Sequence, residues 1–364
     1  ISVIISGGGT GGHVFPAIAI AQALHKLQPE LNIRFVGAYG KLEMEKVPNA
    51  GFDIDGLWIN GFLRGKVLPN LLLPFKVLFS LVKSFFLVLK HKPELGIGVG
   101  GYASGPFLKT ASLMGVPVLL QEQNAFPGIT NKLLAKGASK VCVAYNGLDK
   151  FFDADKLVYT GNPVREIFKD LENIDKEVAC KHFGLNPEKP IVFVTGGSGG
   201  ARPMNEAIVA DLEEYKAKDI QLIWQCGKVY LSKHEHLNNA ESGIIVLDFI
   251  DKMEYAYAIS DVVVSRAGAL SIAEQQVVGK AVILVPSPYV TEDHQTKNAE
   301  ALVKENAAIM LKDDELKNEL FATLNGLINN KEQIKELSNN MKKLASADAA
   351  TVIAKEALAL LTND

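Results

Sequence analysis

Two glycine-rich clusters carry the residue types from which phosphate recognition is built. The first, Gly7-Gly8-Gly9-Thr10-Gly11-Gly12-His13, follows the apolar run Ile1-Ser2-Val3-Ile4-Ile5 and precedes a helix expected to begin near Val14-Phe15-Pro16. Backbone amides in such a loop approach an anion closely, and the dipole of the following helix favours negative charge. Gly7, Gly9 and Gly12 satisfy GxGxxG, but a dinucleotide site also needs an acidic residue about 20 positions on, at the end of the second strand. That strand ends Phe35-Val36-Gly37-Ala38 with no carboxylate, and no Gly-Lys-Ser/Thr follows the loop. Neither a nicotinamide site nor a Walker loop is therefore expected. A bare strand-to-helix turn would not call for so many glycines, so a ligand is the better account of them. His13 stands at the helix entrance, where an imidazole kept neutral by the positive dipole end can take a proton from a hydroxyl nucleophile.

The second cluster, Gly196-Gly197-Ser198-Gly199-Gly200-Ala201-Arg202, repeats the strand, loop and helix order. Further on, Ser265-Arg266-Ala267-Gly268-Ala269-Leu270-Ser271-Ile272-Ala273-Glu274 sets a small-residue turn after a strand and a carboxylate about one and a half turns into the next helix, where it could accept two hydrogen bonds from a ribose diol. An isolated glutamate there would ordinarily be a solvated helix residue. Polar segments Gln121-Glu122-Gln123-Asn124 and Glu292-Asp293-His294-Gln295-Thr296-Lys297-Asn298 also follow apolar strands, beyond the carboxyl ends where α/β folds hold ligands. His234 and His236 flank Glu235 without metal-ligand spacing, and no Gly-x-Ser-x-Gly elbow offers a nucleophile. No metal and no cofactor is expected.

The elements that must position these loops alternate along the chain. Strands are predicted at 2–6, 32–37, 95–99, 116–121, 140–144, 191–195, 220–225, 244–247, 261–265 and 281–285, with helical periods between most of them. This is the βαβ signature of parallel sheets covered on both faces. The pattern restarts, strand into glycine turn into helix, at 2–24 and again at 191–212, so two similar α/β units in tandem are expected. Thr160-Gly161-Asn162-Pro163 has breaker chemistry and marks the hinge. Residues 331–361 read as helix.

Residues 57–92 differ from the rest. They are rich in Leu, Val and Phe yet carry Arg64, Lys66, Lys76, Lys83, Lys90, His91 and Lys92, too many charges for a spanning helix. Lys76, Lys83 and Lys90 recur every seventh residue and fall on one helical stripe, with Phe75, Leu78, Phe79, Val82, Phe85, Phe86 and Leu89 around the rest. A core helix with snorkelling lysines would look like this, and so would a basic amphipathic helix lying in a bilayer interface.

The 364 residues are 48% hydrophobic and 22% charged, which sets disordered, collagen-like and coiled-coil classes aside and suggests two or three domains. Cys142, Cys180 and Cys226 are far apart and form no CxxC pair, so a reducing, cytoplasmic setting fits. No signal peptide is expected, because the first residues are strand-like with no basic leader. Residues 1–163 carry 16 Lys+Arg against 10 Asp+Glu and residues 164–364 carry 22 against 31, giving +6 and −9 within the net −3. The first half is thus the one expected to meet an anionic surface or phosphorylated ligand.

In order along the chain stand GGGTGGHVFPA (7–17), GVGGYASGP (98–106), EQNAFPGITNK (122–132), GNPVR (161–165), GGSGGAR (196–202), SRAGALSIAE (265–274) and DHQTKNA (293–299). In these segments, over nearly its whole length, the sequence resembles the MurG family of bacterial N-acetylglucosaminyltransferases. The resemblance implies a GT-B fold, two Rossmann-like doubly wound domains facing across a cleft. Residues 1–163 would form the acceptor and membrane side, joined by a C-terminal helix 341–364, and 164–340 the UDP-N-acetylglucosamine (UDP-GlcNAc) domain. It implies inverting transfer of GlcNAc from UDP-GlcNAc to the 4-hydroxyl of MurNAc in undecaprenyl-pyrophosphoryl-MurNAc-pentapeptide, the step from lipid I to lipid II of peptidoglycan synthesis. Carried over by motif, Thr10, Gly11 and Gly12 would face the donor sugar and diphosphate, Asn124 would hold the sugar, and Arg165 and Ser198 would reach the phosphates. The backbone of Ile250 would read uracil, Ala269, Leu270, Ser271 and Glu274 would line the nucleoside with Glu274 on the ribose, and His294 and Gln295 would contact GlcNAc hydroxyls. His13 would be the general base. The region with Arg64, Lys66, Phe75, Lys76, Phe79, Lys83, Phe86 and Lys90 would dock on the anionic cytoplasmic face of the inner membrane. Proteins of cell-wall elongation or division would complete the partners, with no nucleic acid among them. The sequence departs from the family pattern at Gln121, Gly199 and His294, the last replacing a Gln and offering a sugar different donors. The competing readings are a UDP-GlcNAc 2-epimerase or a GT-B transferase with a soluble acceptor, a nicotinamide oxidoreductase, and a two-lobed sugar-nucleotide binding protein without catalysis.

Overall fold

The computed structural model describes residues 1–61, 71–197, 199–290, 293–346 and 348–362. The chain divides into two compact units, Ile1–Arg165 with Ser346–Asp364, and Glu166–Ala345. The division falls after Arg165 rather than Pro163, and the returning segment begins at Ser346 rather than 341.

The first unit is built on β1 (Ser2–Ser6), β2 (Asn32–Ala38), β3 (Asp53–Leu57), β4 (Leu95–Gly98), β5 (Val118–Glu122), β6 (Lys140–Val143) and β7 (Leu157–Tyr159). All pair in parallel in the order β3-β2-β1-β4-β5-β6-β7. Helices α1 (Gly11–Leu27), α2 (Glu43–Asn49), α3 (Leu73–His91), α4 (Ser104–Leu113) and α5 (Ile129–Leu134) connect them. Alternate residues of a strand face opposite sides of its sheet. In β1, Val3 and Ile5 pack with Ile20 and Leu24 of α1, whereas Ile4 joins Leu87 of α3 and Phe107 and Leu108 of α4 on the other face. That double burial is why the inner strands read as unbroken apolar runs.

The second unit repeats the plan with β8 (Ile191–Thr195), β9 (Gln221–Gln225), β10 (Ile244–Leu247), β11 (Val262–Arg266), β12 (Ala281–Val285) and β13 (Ile309–Met310), ordered β10-β9-β8-β11-β12-β13 and again parallel. Its helices are α6 (Lys176–Phe183), α7 (Arg202–Ala210), α8 (Leu212–Ala217), α9 (Leu231–His234), α10 (Met253–Ile259), α11 (Ala269–Val278), α12 (His294–Lys304), α13 (Leu316–Ile328) and α14 (Lys331–Lys343). The expected helix over 331–361 is in fact two, α14 and α15 (Ala349–Leu361). Ile353, Ala354 and Ala357 of α15 enter the core of the first unit beside α1, and Lys140 on β6 pairs with Glu356. Gly161 adopts φ 79° where the chain passes under Ser346 and Ala349; a Cβ there would collide with Ser346.

Three strands escaped the sequence reading, β3, β7 and β13. All are outer strands, with a neighbour on one side only in the case of β3, β7 and β13, and they are short or, like Asp53-Ile54-Asp55, polar in alternation. In both sheets the chain reverses its direction of winding at the first strand, between β1 and β4 and between β8 and β11. Ligands of doubly wound sheets bind at these switch points, and each has a glycine cluster on it.

Candidate functional site

In the first unit β1 ends at Ser6, whose hydroxyl donates to the Val36 carbonyl (3.0 Å) and whose carbonyl accepts from the Ser104 hydroxyl (2.7 Å). This anchor delivers the chain into the loop at the switch point. A Cβ at Gly7 would strike Val99, and one at Gly101 (φ 94°) would strike the Gly8 carbonyl. Gly101 is thus explained together with the first loop, since its backbone packs on that of Gly8. Helix α1 starts at Gly11, three residues earlier than expected, and Pro16 lies inside it. Thr10 is its extended N-cap but makes no side-chain cap, and the first turn holds no acidic residue. The His13 and Val14 amides bond the Thr10 carbonyl, so it is the amides of Gly11 and Gly12 ahead of them that suit an anion.

The ring of His13 lies among groups of both turns. The Thr10 hydroxyl is 3.4 Å from Nδ1, the Gly8 carbonyl accepts a hydrogen bond from the ring, and a Cβ at Gly100 would stand 2.9 Å from Nε2. Burial holds the imidazole below its ordinary value, opposed by the Gly8 carbonyl and by the charge of Glu43. At neutral pH the ring is therefore unprotonated and able to act as a base. The guanidinium of Arg165 lies over the Phe15 ring, 4.9 Å from its centroid, which places a cation beside the start of α1.

Asn124 is oriented by its neighbour. The buried Glu122 carboxylate accepts from Asn124 N (3.0 Å), Asn124 Nδ2 (3.3 Å), Gly128 N (3.1 Å) and Asn131 Nδ2 (2.9 Å). Burial raises its pKa against the pull of these donors. Gln121 donates to Asn162 Oδ1 (3.0 Å); Asn162 donates to the Gln123 carbonyl (2.9 Å), and Gln123 to that of Val99 (2.8 Å). This buried network ties 121–124 to the Gly161-Asn162-Pro163 turn, which ends in Arg165.

In the second unit Ser198 lies outside the described residues, but its loop does not. A Cβ at Gly200 (φ 74°) would strike the Cys226 carbonyl, and one at Gly227 the Gly200 backbone. The Thr195 hydroxyl accepts from Gly197 N (3.2 Å) and donates to Gln225 (2.8 Å). Helices α7, α11 and α12 all begin with no side-chain cap and no acidic residue in the first turn. Ala269, Leu270 and Ser271 form the first turn of α11 after the extended Gly268, and Glu274, half-buried, follows one turn on. Ile250 is buried, so only its backbone can meet a ligand. His294 opens α12, and the side-chain carbonyl of Gln295 accepts from Ser287 N (2.9 Å), which leaves the amide nitrogen as the group suited to a sugar hydroxyl.

Two features went unread in the sequence. Glu43 brings a buried carboxylate to the end of β2, where none was expected: Oε1 accepts from Ala38 N and Oε2 from Gly9 N, both at 2.9 Å. Arg266 pairs with Asp313 through both guanidinium nitrogens (2.5 and 3.3 Å) and donates to the carbonyls of Val285 and Pro286, fixing the exit from β12 that leads to His294. Each depends on a partner far off in sequence, Gly9 for Glu43 and Asp313 for Arg266, and no local signal marks them.

Arg64 and Lys66 lie outside the described residues. Helix α3 buries Ser80, Ser84, Leu87 and Val88 and exposes Phe75, Leu78, Phe79, Val82, Phe85, Phe86 and Leu89. Phe75 is 67% and Phe86 62% exposed, so the serines face in and the phenylalanines out. The lysine stripe flanks that apolar face. Lys76 lies over Trp58 (5.3 Å) and bonds Asn60, Lys83 lies over Tyr39 (4.7 Å) and bonds its hydroxyl (2.8 Å), and Lys90 is exposed. Among the described residues no helix is long and apolar enough to cross a membrane.

Two Rossmann-like parallel sheets, each with a glycine loop and uncapped helix starts at its switch point, define an α/β enzyme of nucleotide-sugar chemistry with the GT-B pattern of units. Residues 3–143 match the glycosyltransferase family 28 N-terminal domain and 191–353 the family 28 C-terminal domain. The chain is 48% identical to the UDP-N-acetylglucosamine–N-acetylmuramyl-(pentapeptide) pyrophosphoryl-undecaprenol N-acetylglucosamine transferase of Flavobacterium psychrophilum, over 98% of this chain and 97% of that protein. It is 49% identical to the protein of that name from Bacteroides fragilis, over 99% and 96%. The crystal structure of Acinetobacter baumannii MurG superimposes with a TM-score of 0.73 at 28% identity, covering 98% of this chain and 99% of that one. A UDP-GlcNAc 2-epimerase from Neisseria meningitidis shares the fold alone, at 14% identity and TM-score 0.68 over 99% and 100%. This chain belongs to the MurG family of hexosyltransferases, within glycosyltransferase family 28.

Proposed function

We propose that this enzyme moves GlcNAc from UDP-GlcNAc to the 4-hydroxyl of MurNAc in an undecaprenyl-pyrophosphoryl-MurNAc-pentapeptide acceptor, with inversion, in peptidoglycan synthesis. The observation that carries the reading is a neutral, half-buried histidine on a glycine loop in one unit, together with three uncapped helix starts in the other. His13 takes the proton of the acceptor hydroxyl as its oxygen attacks the anomeric carbon. The bond from that carbon to the diphosphate breaks on the opposite face, so a β-linked product arises from an α-linked donor. The leaving UDP gathers negative charge, which helix-start amides and the Arg165 guanidinium stabilise. Thr10, Gly11, Gly12 and Asn124 take the sugar and diphosphate side, Ser198 a phosphate, and the Ile250 backbone the uracil. Ala269, Leu270 and Ser271 line the nucleoside, Glu274 accepts from the ribose, and His294 and Gln295 meet the sugar hydroxyls.

The first unit serves the acceptor and the membrane. The outward phenylalanines of α3 enter the headgroup boundary of the cytoplasmic leaflet, and Lys76, Lys83 and Lys90, with Arg64 and Lys66 before them, meet anionic headgroups. The test is product analysis with UDP-GlcNAc and a lipid I analogue: a β-1,4-linked GlcNAc-MurNAc product supports the proposal. Conversion of the donor to its 2-epimer without acceptor would replace it with the epimerase reading.

A further inference from the structure

Glu43 is a carboxylate buried at the first position of α2 and committed to the backbone. One oxygen takes Ala38 N at the end of β2; the other takes Gly9 N in the glycine loop. A Cβ at Gly8 would run into this carboxylate and one at Gly37 into its Cγ methylene, so both positions are cut to the shape of the side chain. The Gly8–Gly9 peptide group therefore stands between two side chains. Its N–H points to Glu43, and its carbonyl accepts from the ring of His13. Hydrogen bonds in a chain polarise one another, and an anion on the N–H side makes the carbonyl a better acceptor. A ring nitrogen held as donor to a carbonyl carries the proton, which leaves the other nitrogen with the lone pair.

We infer that Glu43 is a positioning residue for His13, acting through the Gly8–Gly9 peptide to fix the tautomer and aim of the imidazole while pinning the loop to β2. This rests on His13 as the base. Its plan is that of a carboxylate behind a catalytic histidine, with a peptide group interposed. Of the groups around the ring, the Thr10 hydroxyl, the Gly8 carbonyl and the Gly100 backbone are neutral, and Glu43 is the charged group whose field reaches it. That field favours the protonated ring and so makes it a stronger base than burial alone would leave.

The test uses the full chain with Glu43→Gln and Glu43→Ala, followed by kcat and KM across pH and by NMR titration of the His13 ring. The glutamine keeps one acceptor and loses the charge. The expected result is a fall in kcat of about tenfold or more, donor KM within about twofold of wild type, and an acid limb of kcat/KM and a His13 titration both moved to lower pH. A folded E43Q protein with kcat within twofold, the same acid limb and the same titration would overturn the inference. If the variants do not fold, nitrogen NMR of the wild-type ring decides: one fixed neutral tautomer is expected, and rapid exchange between both would overturn it. If His13→Ala keeps full kcat, the base assignment fails, whereas the His13 titration of E43Q still reports whether Glu43 holds the ring.

Discussion

The two glycine loops occupy the same place in sheets of the same strand order, yet they are held by different means. The first is gripped by a side chain, the buried Glu43, and carries His13 within its own helix turn. The second is held chiefly by backbone against backbone, Gly200 on Cys226 and Gly227, with the Tyr230 ring against Gly200 and the Thr195 hydroxyl bonded to Gly197 N. A loop wedged on main chain offers amides in fixed directions and nothing that titrates, which suits a diphosphate. A loop braced by a carboxylate can tune a base. On the proposed function both loops meet the donor, and the first adds to that contact a group that can take a proton.

The sharpest way to break this contrast is His13→Ala. A positioned general base contributes about 10²- to 10⁴-fold, so kcat should fall in that range while UDP-GlcNAc binding, followed by calorimetry, stays within about twofold. Gly227→Ala should do the reverse. Its methyl would press on Gly200 in a backbone of φ 90°, and donor Kd should rise by about tenfold or more, as expected when charge-assisted bonds worth about 1.5–3 kcal/mol are misaligned. A comparable loss from Glu274→Gln, read as donor Kd against UDP Kd, would place the ribose contact on α11.

The glycine clusters and the parallel sheets were legible because each is a local pattern of apolar runs and turn residues; the polar segments read as loops after strands lie partly within elements, Gln121 and Glu122 in β5 and residues 294–298 in α12. Glu43 was not legible. Its sequence setting, Lys41-Leu42-Glu43-Met44-Glu45, reads as a solvated helix start, and only the two missing side chains at Gly8 and Gly37 make room for it. The orientation of α3 was half legible: periodicity gave the lysine stripe but not which face was covered, because Ser80 and Ser84 are small enough to pack inward. The break between α14 and α15 was hidden because helical residues continue on both sides of it.

Smaller effects separate the halves by pH. Burial lowers His13, so protonating it costs the folded state; kcat/KM should hold through neutrality and decline only below the ordinary imidazole range, near pH 6.5. In the second unit burial brings Lys280 from 10.5 down to about 8, where its ammonium meets the carbonyls of Ala258 and Ser260. The unfolded chain holds this proton to higher pH than the folded one, so stability should rise between about pH 8 and 10.5. Chemical denaturation across that window should show the slope, and Lys280→Met should flatten it without altering donor affinity. For α3, Lys76, Lys83 and Lys90 changed together to Glu should weaken binding to anionic vesicles at low salt, with little change at high salt.

The most direct test of the division of labour is UDP release from UDP-GlcNAc with and without a lipid I analogue, in detergent and excess chelator. Release that depends on the acceptor, and that His13→Ala abolishes while donor binding persists, is the predicted result. Release at the same rate without acceptor, or undiminished in His13→Ala, would contradict it.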